Sequence, residues 1–414
     1  MTLWNLVSFA GLFALMALAW ACSANRRNVN WRLVGWGTGL QLLFAAAVFR
    51  APGAERVFSV LNDAFLKLLA AAQEGSKFVF GPLGGSDSGS GFILAFQGLP
   101  VIIFFSALMG LLYYWRIMPW IIRGFAAVFT RLLRVSGAES LCTANNIFMG
   151  VESFTAIRPC MARMTRSEFC TILTAGMATV ASSTMGLYVL FLKDVFPGIA
   201  GHLMSASILS APAALVMSKF LVPEEGKPET LGVGIAVEPP REAGALDAIV
   251  NGAMAGLQMV LGIAALLIAF LGLLALADLL LGGAGRLCGL ELSFGKLLGH
   301  LFVPLAWIMG IPPEDAGTAG HLLGLRLVAT EIPAYKELAA GMAAHTFVYA
   351  RSPVIIAYAL CGFSHVASVA IFAGGAVALV PERRADIMGV AFRALVAATL
   401  ACLMTGAVAG TFFR

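Results

Sequence analysis

The chain has 414 residues, 60% of them hydrophobic and 12% charged, with 27 Lys+Arg against 22 Asp+Glu and a mean hydropathy of +0.89. Soluble domains are about 45–50% apolar and about 25% charged, so an aqueous globular enzyme and a disordered chain are both excluded. Apolar runs of about 20 residues recur, as in a polytopic helical membrane protein, and the roughly ten-residue alternation of a membrane barrel is missing. The net charge of +5 lies in short clusters between apolar runs, which is the pattern of membrane orientation and not of nucleic-acid binding.

Leu3–Ala21 and Trp31–Phe49 read as two spans joined by a basic loop (Arg26, Arg27, Arg32). The positive-inside rule puts that loop in the cytoplasm and the N-terminus outside. The first run lacks a basic leader and a small-residue cleavage site, so it reads as a retained span. Ala54–Gln73 has helical apolar spacing with Asn62, Asp63 and Lys67 between, the pattern of an interfacial helix. After the Gly/Ser loop Gly81–Gly91 comes a third span, Phe92–Trp115. Met118–Val135, with Arg116 before it and Arg123, Arg131 and Arg134 within, suits a cytoplasmic interfacial helix. Glu139–Met164 is apolar but interrupted by Asn145, Asn146, Gly150, Glu152 and Pro159, and is too broken for a lipid-facing helix.

Thr171–Leu192 and Ile199–Leu221 are spans again, and Val222–Glu242 is a hydrophilic linker. Gly252–Leu281 is a long span. Leu292–Ile311, with Lys296, His300 and Pro304, reads as interfacial. Gly317–Met342 is a second broken segment with Arg326, Glu331, Pro333 and Lys336. Pro353–Leu379 and Val390–Phe412 close the chain around the basic loop Pro381–Arg384. The expected fold class is an all-α polytopic membrane protein of eight spans plus two re-entrant hairpins. It puts the basic clusters at 26–32, 116–134, 163–166, 219–241 and 383–384 on one side, and both termini outside. Seven scattered cysteines with no CxxC pair read as packing residues.

An internal repeat locates a site. Gly176-Met177-Ala178-Thr179-Val180-Ala181-Ser182 matches Gly362-Phe363-Ser364-His365-Val366-Ala367-Ser368 at four of seven positions. Each heptad follows a broken segment that carries a glutamate, Glu152 in one and Glu331 in the other, with a basic residue after it (Arg158, Lys336). The unit is broken hairpin, span, span. One span and an interfacial helix lie between the copies, so the second starts from the opposite face. Inverted-topology repeats of this kind mark secondary transporters. A carboxylate at the centre of a membrane helix costs about 2.5–3.5 kcal/mol, so two at matching positions point to a solute pathway. The structural alternative is a pair of hairpin-stabilising ion pairs, Glu152 with Arg158 and Glu331 with Lys336. His365 and Ser368, three apart, would share a helix face, and a histidine inside an apolar span points to a pathway role. No HExxH, GxSxG or Cys/His cluster supports an intramembrane enzyme.

These residues are where a family becomes recognisable. Ala144–Glu152 with Ile157-Arg158-Pro159, Met164–Glu168, Ala175–Ala181, Pro304–Gly310, Ala359–Phe363, Ala376 through Arg383, and Phe392–Leu395 are similar to stretches of the concentrative nucleoside transporters, in order and over essentially the whole chain. The resemblance implies nucleoside uptake into the cell across the cytoplasmic (inner) membrane by sodium symport, or sometimes proton symport. It implies a homotrimer and an elevator movement of a transport domain against a scaffold. The corresponding division is scaffold at 1–135, transport repeat 1 at 136–221, linker at 222–251, scaffold span and interfacial helix at 252–316, and transport repeat 2 at 317–414.

By the same resemblance Glu152 takes the nucleobase-contacting glutamate position, and Gly150 and Val151 stand where the family has two polar base contacts. Glu331, His365 and Ser368 take the ribose-contact positions, with His365 replacing an asparagine. Thr330 precedes the glutamate, and Phe363 belongs to the same solute site. The sodium ligands map onto Asn145 and Thr179 with the backbone carbonyls of Phe148 and Val180. No cofactor and no nucleic-acid partner are implied; the partners are a nucleoside, the bilayer and two further copies of the chain. A proton-coupled variant working through His365 is the runner-up, and the lost polar groups at Gly150 and Val151 point to an altered base preference.

Overall fold

The computed structural model describes residues 3–51, 53–85, 92–235, 242–287 and 293–413. Parts of the loop after Gly85 and of the linker after Ile235 lie outside them, as do Cys288 and Leu292. Among the described residues the chain is helical, apart from one isolated bridge between Ser136 and Leu231. The helices are α1 (Leu3–Ala21), α2 (Trp31–Arg50), α3 (Ala54–Phe80), α4 (Leu99–Tyr114), α5 (Ile117–Val128), α6 (Gly137–Asn146), α7 (Arg158–Met161), α8 (Arg166–Ala178), α9 (Ser182–Leu192), α10 (Ile199–Leu221), α11 (Ala245–Leu287), α12 (Phe294–Ile308), α13 (Pro313–Ala329), α14 (Glu331–Ala343), α15 (Arg351–Leu360), α16 (Val366–Leu379) and α17 (Arg384–Phe412).

Seven segments among the described residues are long and apolar enough to cross a bilayer: α1, α2, 94–114, α8 with α9, α10, α11 and 381–412. The eighth expected span is α15 and α16 together. At about 1.5 Å rise per residue neither half reaches across about 30 Å of hydrocarbon alone. Both repeats therefore carry a discontinuous span, which the sequence reading treated as continuous. The heptads fall on the two breaks but do not register with them: the helices resume at Ser182 and Val366, whereas the heptad match pairs Ser182 with Ser368. The heptad glycines let the broken spans cross. A Cβ on Gly362 would come within 2.7 Å of the Ala178 carbonyl oxygen, and one on Gly176 within 2.4 Å of the Phe372 ring.

Burial separates inner from outer helices. The α8–α9 span is 89% buried and α10 is 83% buried, whereas α11 is 6% buried over its most apolar window. One side of α11 packs along α4, and the apolar side chains it leaves uncovered face lipid or another chain. Helices occupy the segments expected to be interfacial, with shifted limits: α3 runs on to Phe80 and α5 ends in a π-turn at 129–133.

The basic loops meet at one face. Asn28 Nδ2 donates to the Glu224 carbonyl (2.7 Å), Arg163 pairs with Glu229 (2.6 Å), and Arg383 donates to the carbonyls of Ala162 (2.7 Å) and Met164 (2.8 Å). The mouth of hairpin 1 lies there too, with Gly137 N–H donating to the Thr230 carbonyl (2.8 Å). At the opposite face Asn5 Nδ2 donates to the Phe413 carbonyl (2.8 Å), and Arg351, after the mouth of hairpin 2, donates to Asn5 Oδ1 and Ser8 Oγ. The hairpins thus enter from opposite faces, and the two terminal helices end together on the face away from the basic loops.

Candidate functional site

Hairpin 1 starts on a capping box, Ser136 Oγ accepting from Glu139 N–H and Glu139 Oε2 from Ser136 N–H. It climbs through α6, whose ten residues are all buried. Helix geometry stops at Asn146, whose side chain ties the two limbs: its Nδ2 donates to the Cys142 carbonyl (3.0 Å) and its Oδ1 accepts from Ser153 Oγ (3.0 Å). The freed carbonyls of the tip find partners elsewhere, as buried backbone must. Phe148 C=O accepts from Ser182 N–H at 2.9 Å, and Ile147 C=O from Ser207 Oγ at 2.9 Å. The tip is thereby pinned to the break between α8 and α9.

Beyond the tip the chain takes a 3₁₀ turn, Val151–Ile157, that presents Glu152 to a cavity of about 700 Å³. Hairpin 1 supplies one wall, with Asn145, Phe148, Gly150, Glu152 and Arg158; α4 and α11 supply the other, with Ser106, Tyr113, Asn251 and Met259. The cavity reaches Glu242 and Leu379, so it opens toward the basic face. Among the described residues no ion pair joins Glu152 to Arg158. Val151, expected at the solute, does not line this cavity; its Cγ2 lies 2.4 Å from where a Cβ on Gly375 would be, against α16.

Of the four residues matched to sodium ligands, Asn145 and Phe148 lie at this tip, and Thr179 and Val180 lie on the α8–α9 break that Ser182 N–H ties to it. Ser207 Oγ, which reaches the Ile147 carbonyl, also reaches the Val180 carbonyl at 3.4 Å. Thr179 Oγ1 donates its proton to the Ala175 carbonyl (2.8 Å), leaving its lone pairs open. Asn145 Oδ1 accepts from Tyr113 Oη. All four donors are oxygens, the chemistry a hard cation prefers.

Hairpin 2 turns at Thr330, a β-branched residue at φ 87°. That strained conformation starts α14 directly at Glu331. Glu331 is 2% exposed, and its carboxylate lies at a helix N-terminus, where negative charge is favoured by about 0.3–1 kcal/mol. Tyr188 Oη, from α9, donates to Oε1 at 2.7 Å. His365 Nε2 stands 3.2 Å from Oε2. Tyr188 stacks on Tyr335 (centroids 4.5 Å apart, 19° between planes), and Tyr335 Oη donates to the Ala357 carbonyl at 2.7 Å. Among the described residues one buried polar atom at this tip has no partner, Thr330 Oγ1.

His365 is not inside a helix, as expected, but is the N-cap of α16. Its Nδ1 accepts from Ser368 N–H (3.1 Å), and Ser368 Oγ donates to the His365 carbonyl (2.6 Å). With Nδ1 committed as acceptor, the proton of the neutral ring is on Nε2, facing Glu331. Ser368 therefore orients His365. Phe363 packs near Phe372, centroids 6.5 Å apart. The alternative Glu331–Lys336 pair does not form; Tyr188 and His365 take that place. Tyr113, Tyr188 and Ser207 were missed. A signal existed, because the chain has six tyrosines and one buried in an apolar span needs a partner for its hydroxyl.

Three family models match consecutive parts of the chain: "Na+ dependent nucleoside transporter N-terminus" over residues 10–83, "Nucleoside recognition" over 95–195, and "Na+ dependent nucleoside transporter C-terminus" over 202–410. The chain belongs to the Na+ dependent nucleoside transporter family. Among its relatives, Solute carrier family 28 member 3 of Mus musculus is 36% identical over 98% of this chain. The chain spans 58% of the mouse protein's length. The uncharacterized transporter YutK of Bacillus subtilis is 37% identical over 99% of both chains. Solved structures of CNTnw superpose at TM-score 0.90 in an inward-facing substrate-bound state (33% identity, 98% of this chain and 97% of that one) and at 0.91 in an intermediate state (33% identity, 100% of both).

Proposed function

We propose that this chain carries a nucleoside into the cell across the cytoplasmic membrane by sodium symport. In this reading a homotrimer forms, and the repeats at 136–221 and 317–414 move as an elevator against scaffold segments 1–135 and 252–316, with 222–251 as linker. The observation that supports it most is the hairpin 2 tip. Thr330 Oγ1 is buried without a hydrogen-bond partner, while Tyr188 and His365 hold the two oxygens of the Glu331 carboxylate beside it. A buried polar atom left unpaired costs about 1–3 kcal/mol, a cost that the hydroxyls of a ribose offset on binding. Glu152 meets the base from the cavity side, with Gly150 leaving room beside it. The oxygen set Asn145, Phe148, Thr179 and Val180 holds the sodium ion. The positive-inside rule makes the basic face cytoplasmic, so the cavity opens inward and both termini lie outside. His365 serves the solute site; its Nδ1 is occupied by Ser368 N–H, which is poor placement for a proton relay.

The test is uptake of labelled uridine, adenosine and inosine into proteoliposomes under an inward sodium gradient, an inward proton gradient, or neither. Saturable uptake that requires sodium is expected. Saturable uptake driven by protons alone overturns the ion assignment, and no saturable flux of any nucleoside overturns the function.

A further inference from the structure

Of the four oxygen donors at the hairpin 1 tip and the α8–α9 break, three are engaged by neighbours in the repeat itself: Phe148 by Ser182, Thr179 by Ala175, and Val180 by Ser207. Asn145 differs. Its Oδ1 accepts from the hydroxyl of Tyr113, which sits in the last turn of α4. That helix packs lengthwise on α11, and the two together form the far wall of the cavity. The Tyr113–Asn145 contact therefore joins the hairpin to a helix outside the repeat, across the boundary where an elevator would slide.

We propose that Tyr113 is a release group for the coupling cation: in the state whose cavity opens on the basic face, its hydroxyl takes the Asn145 oxygen that the cation otherwise holds. A phenol proton and a small cation both bring positive charge to the same oxygen, so each weakens the other. Moving hairpin 1 along α4 breaks the hydrogen bond and restores Asn145 as a full ligand. The ion is held more weakly where Tyr113 reaches it and more tightly where it does not, which favours discharge on the side of low sodium. The proposal rests on the sodium-symport reading above, and Tyr113 acts through Asn145 as a positioning residue.

Tyr113→Phe removes the donor and keeps the ring. Purified wild-type protein and the variant are titrated with NaCl at constant ionic strength, following thermal stabilisation, which reports ion binding to the folded state. Amide hydrogen exchange over residues 145–150 is read in parallel. The variant is expected to reach half-saturation at about three- to tenfold less sodium, the range that loss of one competing neutral hydrogen bond gives. In sodium-free buffer its 145–150 amides are expected to exchange faster, and sodium should slow them in both proteins. Equal sodium midpoints and equal exchange in two proteins that both respond to sodium overturn the role of Tyr113 alone. A wild-type protein that sodium neither stabilises nor protects overturns the symport reading and this proposal with it.

Discussion

The two hairpin tips each carry a glutamate and treat it in opposite ways. Glu152 looks into a cavity of about 700 Å³ that opens on the basic face. Glu331 is sealed at 2% exposure, with Tyr188 and His365 against its two oxygens. The backbone logic is shared: each hairpin breaks just before its glutamate, and each tip lies against a broken span. The neighbours differ. Hairpin 1 faces α4 and α11, which are not part of the repeat and leave space, whereas hairpin 2 is closed in by α9 and by the Tyr188–Tyr335 stack. An inverted repeat therefore fixes where a carboxylate is placed, and the unrepeated helices decide whether it is a free contact or a pre-set one.

The sharpest way to break this comparison is to neutralise each glutamate. At Glu331, glutamine brings an NH₂ donor against groups that already donate, Tyr188 Oη and His365 Nε2. Glu331→Gln is expected to lower unfolding stability by about 1–3 kcal/mol, the cost of a buried mismatch, and to cut nucleoside uptake more than about 100-fold, since charged hydrogen bonds are the stronger ones. Glu152→Gln is expected to weaken nucleoside binding roughly ten- to hundredfold while leaving stability within about 0.5 kcal/mol, as for a side chain without packed polar partners. Thermal unfolding and uptake kinetics on the two variants check both. Equal stability losses would mean that the tips are not different in kind.

Much of this was legible in the chain. The limits of α1 and α10, the two broken hairpins and their opposite entry follow from apolar length and from where Asn, Gly and Pro interrupt it. The breaks at Thr179–Ala181 and Cys361–His365 were not legible, because small residues such as Val180 and Ala181 read as span on any hydropathy scale. The partners of Glu331 were hidden for another reason. Tyr188 is 143 positions away, and only the crossing of the two broken spans brings it there. Sequence spacing offered Lys336 as the alternative partner, and the packing does not bring it to Glu331.

The same comparison divides the two departures at the base end of hairpin 1. A Cβ on Gly150 would meet only Glu152 Oε2 at 3.3 Å and the Ala181 Cβ at 4.0 Å, so a longer side chain there has the cavity to enter. Gly150→Gln is expected to change the uridine-to-inosine uptake ratio about tenfold, by placing an amide beside Glu152 where base edges present donors and acceptors. Competition uptake with paired nucleosides measures it, and an unchanged ratio would remove Gly150 from the solute site.

The smallest effect is expected one residue on. Val151→Thr restores a hydroxyl to a position that the family resemblance assigns to the base, yet the Val151 side chain points at Gly375 on α16 and away from the cavity. A hydroxyl there would meet backbone and apolar atoms, and threonine commonly turns its proton to a nearby carbonyl when buried. The substitution is expected to shift nucleoside selectivity less than about twofold and to cost about 1 kcal/mol of stability, as for a polar atom placed among apolar neighbours. If Val151→Thr instead alters base preference as strongly as Gly150→Gln, then hairpin 1 must rotate its 3₁₀ turn when the solute binds. Hairpin 1 would then be the mobile tip and hairpin 2, with Glu331 already gripped, the fixed one.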